Sequence, residues 1–173
     1  MPGPDEAKSP THDPRQRELL LPRGWWHDVA ASRAPDFVIE GAESDENPYL
    51  RRWWLVPRNP LQNVYLHHFM RSDDDRALHS HPWEWNVSVL LEGQYLEHLP
   101  GGRSVVRRAG EVAYRTGESW HRIELTHGSV WTLFLTGAHA REWGFAAGPS
   151  GFTHWRDFLE CDKPGAASRG CGG

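Results

Sequence analysis

Along residues 60–146 apolar and polar positions alternate in short runs, and turn-forming clusters separate the runs. A period of two over a few residues is the signature of half-buried strands. Asn63–Arg71 reads as one strand, and the polar stretch Ser72–Arg76 as the turn after it. Trp85–Leu91 is the next strand, and Glu92-Gly93 turns the chain into Gln94–His98. Pro100-Gly101-Gly102 is a strong hairpin signal. Ser104–Arg108, Val112–Arg115, Trp120–Leu125 and Val130–Thr136 follow as short strands, with Thr126–Ser129 as the turn between the last two. Trp143–Ala146 reads as one more.

The flanks are less regular. Residues 34–60 carry two short strand signals, Phe37–Glu40 and Trp53–Val56, and residues 19–33 a short helix or an arm. Thr153–Leu159 reads as a final helical turn packed on the outside. No internal repeat, heptad pattern or long amphipathic helix interrupts the strands. Many short strands with regular turns predict an all-β sandwich or barrel. The expected organisation is a disordered tail over 1–18, an arm over 19–60 that packs on the barrel, the barrel over 61–160, and a flexible tail over 161–173.

Composition narrows the classes. The 173 residues fit one domain, and 38% hydrophobic with 24% charged residues is a globular balance. A net charge of -4 argues against a nucleic-acid or membrane-surface binder. No apolar run approaches a membrane span, and the N-terminus lacks the apolar core of a secretory signal, so a cytoplasmic location is expected. Cys161 and Cys171 read as free thiols in the tail rather than a disulfide framework. The ten tryptophans include the neighbours Trp25-Trp26 and Trp53-Trp54. They read as core and groove lining, with a stacking platform for a ring-shaped ligand as the alternative.

The stretch that points to chemistry is Leu78-His79-Ser80-His81-Pro82-Trp83-Glu84-Trp85-Asn86. Histidines at i and i+2 of an extended chain point to the same side. Two converging imidazoles begin a metal site, and a third stands downstream in Trp120-His121-Arg122.

With these residues the chain resembles the cupin superfamily, in particular its small, single-domain, metal-binding bacterial members. The first cupin motif runs Gly, His-x-His, Glu, Gly. His79, His81 and Gly93 match it, while Asp73 stands for the opening Gly and Asn86 for the acidic ligand. The second runs Gly, Pro-x-Gly, His, Asn. Gly110 and His121 match it, while Thr116, Glu118 and Leu125 replace the others. Both motifs at a compact spacing are more specific than either alone. The resemblance implies an antiparallel double-stranded β-helix, the cupin or jelly-roll barrel, with few short helical segments. It also implies one divalent metal inside, held by His79, His81 and His121. Imidazole suits several metals. Fe2+ is the first expectation, with Mn2+, Ni2+, Cu2+ and Zn2+ as alternatives.

Asn86 is the departure that matters most. It is a candidate fourth ligand through its amide oxygen, and Glu84 substitutes if the strand start is bulged. Otherwise the ligand set is three neutral histidines, which resembles the thiol dioxygenase branch, where an anionic substrate supplies the missing charge. Of the neighbours His67 and His68 only one faces inward. His68, Tyr65 and Tyr114 are the candidates for catalysis, and Tyr95, like the other two tyrosines, is an alternative proton donor that also reads as an ordinary strand residue. Arg71, Arg76, Trp83, Trp85, Arg115 and Trp131 are the pocket candidates, the arginines as carboxylate clamps. Asp73–Asp75 reads as a solvated turn. The expected activity is that of a metal-dependent enzyme on a small aromatic or anionic molecule, an Fe(II) dioxygenase first. A non-redox isomerase, epimerase or lyase with the metal as Lewis acid is second. A small-molecule-binding module without catalysis is third. No nucleic-acid or membrane partner is expected, and the assembly is read as a monomer or homodimer.

Overall fold

The structure is a computed structural model that describes residues 24–40, 48–73, 77–148 and 151–159. The expectations for the two tails, Asp74, Asp75, Arg76, Cys161 and Cys171 lie outside the described residues. The elements run α1 (Trp25–Ser32), β1 (Phe37–Ile39), β2 (Leu50–Trp54), β3 (Asn63–Phe69), β4 (Trp85–Glu92), β5 (Gln94–Leu99), β6 (Arg103–Arg108), β7 (Val112–Thr116), β8 (Arg122–Leu125), β9 (Val130–Thr136), β10 (Gly144–Phe145), β11 (Thr153–His154) and α2 (Trp155–Leu159).

Two antiparallel sheets carry the fold. The larger has the order β1-β2-β3-β9-β4-β7, and the smaller β6-β5-β8. His79 extends the smaller sheet, because it bridges His121 on one side and Phe145 on the other. The sheets face each other. Leu50, Phe69, Leu90 and Val130 of the larger sheet pack with Tyr95 and Ile123 of the smaller in one buried cluster. Burial of such side chains stabilises by roughly 1.5–3 kcal/mol each. The chain thus forms the antiparallel double-stranded β-helix that its motifs implied.

The crossing between the sheets depends on Gly93. Its φ is 85°, and a Cβ there would lie 2.7 Å from the Ser129 carbonyl oxygen, so both conformation and space call for glycine. The hairpin signal at Pro100–Gly102 is a tight turn that joins β5 to β6, with Gly101 and Gly102 at φ 74° and 70°. The expected strand over Trp53–Val56 instead starts at Leu50 and ends at Trp54, since Leu50 pairs with Phe69 at the far end of β3.

Strand β3 is buried on both faces, which hides its alternation. Asn63, Tyr65, His67 and Phe69 look into the barrel, and Leu66 looks out. On the outer face Trp53, Leu66 and Trp131 form a second cluster beneath Trp26, Val29 and Ala30 of α1. Glu92 fastens α1 there, accepting from Trp26 Nε1 at 2.9 Å and contacting His27 Nε2 at 2.5 Å. A third cluster places Trp155 and Phe158 of α2 against Phe145. Among the described residues no helix is long and apolar enough to cross a membrane.

Candidate metal centre

The segment before β4 is extended because hydrogen bonds hold both its edges. His79 N donates to His121 O at 2.8 Å, and His121 N donates back to His79 O at 3.0 Å. On the other edge Ser80 N donates to Gly144 O at 2.9 Å, and Ala146 N to Leu78 O at 2.7 Å. Residues directly opposed in an antiparallel pair project to the same face. His79 and His121 therefore sit side by side, and His81 follows two residues on.

One ring nitrogen from each of His79, His81 and His121 falls within a 4.8 Å group. His81 Nε2 and His121 Nε2 are 2.9 Å apart. That is the length of a hydrogen bond between two imidazoles, and it is also close to the separation of about 3.0 Å between two nitrogens bound at right angles to one ion, each about 2.1 Å away, so the pair is compatible with a shared cation. Their protonation fits as well. Burial lowers the pKa of all three: His121 to about 3, with Arg115 the next cause, His81 well below the usual histidine value, and His79 less so. The rings are neutral at pH 7, as metal ligands must be.

Two carboxylates stand behind the imidazoles. His121 Nδ1 lies 3.1 Å from Glu97 Oε1, close but not aligned as a full hydrogen bond. His79 Nδ1 lies 3.6 Å from Asp73 Oδ2. Carboxylates on the Nδ1 side favour the tautomer whose Nε2 lone pair points to a metal. Asp73 is not the solvated turn residue expected. Its side chain is 8% exposed, accepts from Ile123 N at 2.7 Å, and is hydrogen-bonded by Tyr49 Oη.

Glu97 is 1% exposed and collects more charge than any expected site residue. Arg107 Nε donates to its Oε2 at 2.8 Å, and Arg115 donates to its Oε1 through Nε at 2.8 Å and also through Nη2. Burial alone would raise its pKa, but the contact with His121 and the charge of Arg115 hold it well below the usual carboxylate range. A charged residue in phase with the buried Tyr95 on β5 was the signal that sequence reading passed over.

The remaining candidates divide by face. Asn86 is fully buried on the inner face of β4, opposite Arg115 and Thr136, and neither its Oδ1 nor its Nδ2 has a partner among the described residues. Glu84 is exposed beside a surface hollow that it shares with Trp85, Leu61 and Gly137. β4 begins at Trp85, and its irregularity lies between Leu90 and Glu92 rather than at its start. Trp83 reaches the site, with its ring 5.6 Å from those of both His81 and Phe134. Tyr65 is buried on the inner face, its ring stacked 5.8 Å from that of His67.

His68, Trp131 and Tyr114 are elsewhere. His68 stacks on Trp131 at 3.9 Å on the outer face beneath α1, and Tyr114 is 64% exposed. Arg71 donates to Glu40 O at 2.9 Å and lines a hollow with Met70 and His127. Arg115 is present but committed to Glu97. His67, not His68, is the inward histidine, and Arg52 Nε donates to its Nε2 at 2.8 Å. Buried orphaned polar atoms on this inner face include His67 Nδ1, Thr132 Oγ1, Thr136 Oγ1 and the Asn86 amide. A polar interior with unmet hydrogen bonds is what a ligand-binding barrel needs and a filled core avoids.

No family model and no curated protein matches the chain. Solved structures do. One is an uncharacterized conserved protein with a double-stranded beta-helix domain from Klebsiella pneumoniae, at 14% identity over 67% of this chain and 100% of that one, with TM-score 0.49. Another is a cupin-like protein from Thermotoga maritima, at 14% identity over 70% of this chain and 95% of that one, with TM-score 0.48. A third is the DMSP lyase DddQ from Ruegeria pomeroyi, at 11% identity over 64% of this chain and 58% of that one, with TM-score 0.49.

Proposed function

We propose that this chain is a metal-dependent enzyme acting on a small molecule, with one divalent ion held by His79, His81 and His121, and that its reaction is of the Fe(II) dioxygenase type. The observation that carries the metal is the 2.9 Å approach of His81 Nε2 to His121 Nε2 among imidazoles that burial keeps neutral. A bound ion would supply Lewis acidity and, if iron, redox chemistry with oxygen. Its charge would stay uncompensated by these ligands, because among the described residues the histidine group contains no carboxylate, and Glu84 is exposed. That favours an anionic substrate. Asn86 is the candidate fourth ligand or orienting amide.

The chain's own residues do the rest. Asp73 and Glu97 stand on the Nδ1 side of two imidazoles, where a small shift would let each orient its ring, and Arg107 and Arg115 hold Glu97. Tyr65, Phe134 and Trp83 furnish aromatic wall that excludes water. The test is metal analysis of freshly purified protein, then reconstitution with Fe(II) or Zn(II) under air and under nitrogen. Oxygen uptake on adding small carboxylic acids and thiols, with iron only, is the expected result. Stoichiometric metal with turnover under nitrogen in the zinc form would replace the dioxygenase by a lyase or isomerase. Purified protein that neither carries nor takes up metal would overturn the site.

A further inference from the structure

Arg52 differs from every arginine considered above. It stands on β2 directly opposite His67 of β3, on the face that looks into the barrel. Its Nε is used on His67 Nε2, and its guanidinium carbon lies 5.0 Å from the Tyr65 ring centroid and 5.9 Å from that of Phe37. Among the described residues no carboxylate lies within ion-pair reach of it. Arg115, by contrast, has Glu97.

Arg52 is partly buried, and a cation drawn that far from water without a partner is costly, so proteins keep few of them without a use. Burial lowers the Arg52 pKa to about 10, which leaves it charged at neutral pH, with no anion paired to it among the described residues. The hydrogen bond from Arg52 fixes His67 as well. With Nε2 accepting, the proton of the neutral ring is on Nδ1, which is a buried donor with no partner. Thr132, opposite His67 on β9, adds a hydroxyl without a partner. The Phe134 ring bridges this side of the barrel to the histidine cluster, 4.9 Å from the His67 ring and 6.0 Å from that of His81. The nearby walls are the rings of Tyr65, His67 and Phe134.

We propose that Arg52 is the anion-binding residue of the barrel, and that it receives the carboxylate of a small monoanionic substrate between the β2–β3 pair and the three histidines. Arg52 gives the planar fork that suits a carboxylate, and His67 Nδ1–H and the Thr132 hydroxyl supply further donors on the same face. The proposal deepens the proposed function and rests on it for placing the far end of the substrate near the metal. The carboxylate site itself needs no metal.

The experiment is calorimetric titration of the full chain, as purified and after chelation, with acetate and benzoate and with their neutral counterparts acetamide and benzamide. At least one acid is expected to bind the chelated protein about tenfold or more tighter than its amide, a difference of about 1.4 kcal/mol. Arg52→Met removes the preference and Arg52→Lys keeps part of it, while Arg71→Gln leaves it unchanged. Circular dichroism confirms that each variant is folded. Equal binding of acid and amide by the wild-type chain overturns the proposal without any variant. So does a preference that survives Arg52→Met. If the metal reading is wrong, the acid preference still stands in the chelated protein. If the anion site is wrong, metal loading is unaffected.

Discussion

His79 and His121 face each other across an antiparallel bridge closed by two main-chain hydrogen bonds of 2.8 and 3.0 Å. The bridge belongs to the backbone, so it sets the two imidazoles side by side whatever else the side chains do. Replacing either histidine by Ala should leave the bridge intact and remove a ligand. Metal content, measured by elemental analysis after desalting, should fall from one ion per chain to a small fraction. Circular dichroism should still report the wild-type β signal. Retention of stoichiometric metal by His121→Ala would contradict the site.

The histidine cluster was legible in the sequence because it follows from local rules. Alternation puts His79 and His81 on one side, and the second motif brings His121 to the facing strand. The strands were legible for the same reason, and β9 matches its expected bounds, Val130–Thr136. What sequence reading missed depends on register between distant strands. Whether His67 or His68 faces inward cannot be read from β3, because Tyr65 and Leu66 are both buried and alternation gives no preference. Arg52 acquires a role only once β2 pairs with β3 in the observed register. Glu97 becomes the centre of a charge network only when the smaller sheet closes over Arg115 of the larger. Asp73 looked like one of three turn aspartates, and its burial comes from pairing with Ile123.

Glu97→Gln tests that network. The substitution keeps the shape and removes the charge on which Arg107 and Arg115 converge. Breaking a buried ion pair by neutralising one partner costs about 3–5 kcal/mol. A lower denaturant midpoint at unchanged slope is therefore expected. Metal affinity should fall about 10–100-fold, since His121 loses the carboxylate behind its Nδ1. An unchanged midpoint would show that the two arginines find water or another anion instead.

Acid should destabilise the metal-free protein through its buried histidines. Burial, with Arg51 and His27, lowers the His68 pKa to about 4, and burial with Arg52 lowers that of His67 well below 6.5. Between about pH 6.5 and 4 the unfolded chain takes up protons that folded His68 refuses, so the unfolding free energy falls as pH falls. The ceiling is about 1.4 kcal/mol per pH unit for each such histidine. Solvent at the partly exposed His68 ring brings its share below that. His68→Phe keeps a ring on Trp131 and removes the proton site, so its stability should depend less steeply on pH over this window. Parallel wild-type and variant curves would mean that His68 titrates normally in the fold.

Asn86 offers a separation of stability from function. Its side chain is fully buried opposite Thr136, with both amide atoms unpartnered, and leaving such a group unsatisfied costs about 1–3 kcal/mol. Asn86→Leu has similar volume and no polar atoms. It should raise the melting temperature of the chelated protein, because the interior no longer holds an unsatisfied amide. The same change should weaken metal binding or acid binding, because the amide is retained for a ligand rather than for the fold. Glu84→Gln is the control and should change neither quantity, since Glu84 is exposed at the rim of a surface hollow. A lower melting temperature for Asn86→Leu with both affinities intact would mean that the amide is satisfied within the protein and serves packing. A response to Glu84→Gln would instead return Glu84 to the ligand set.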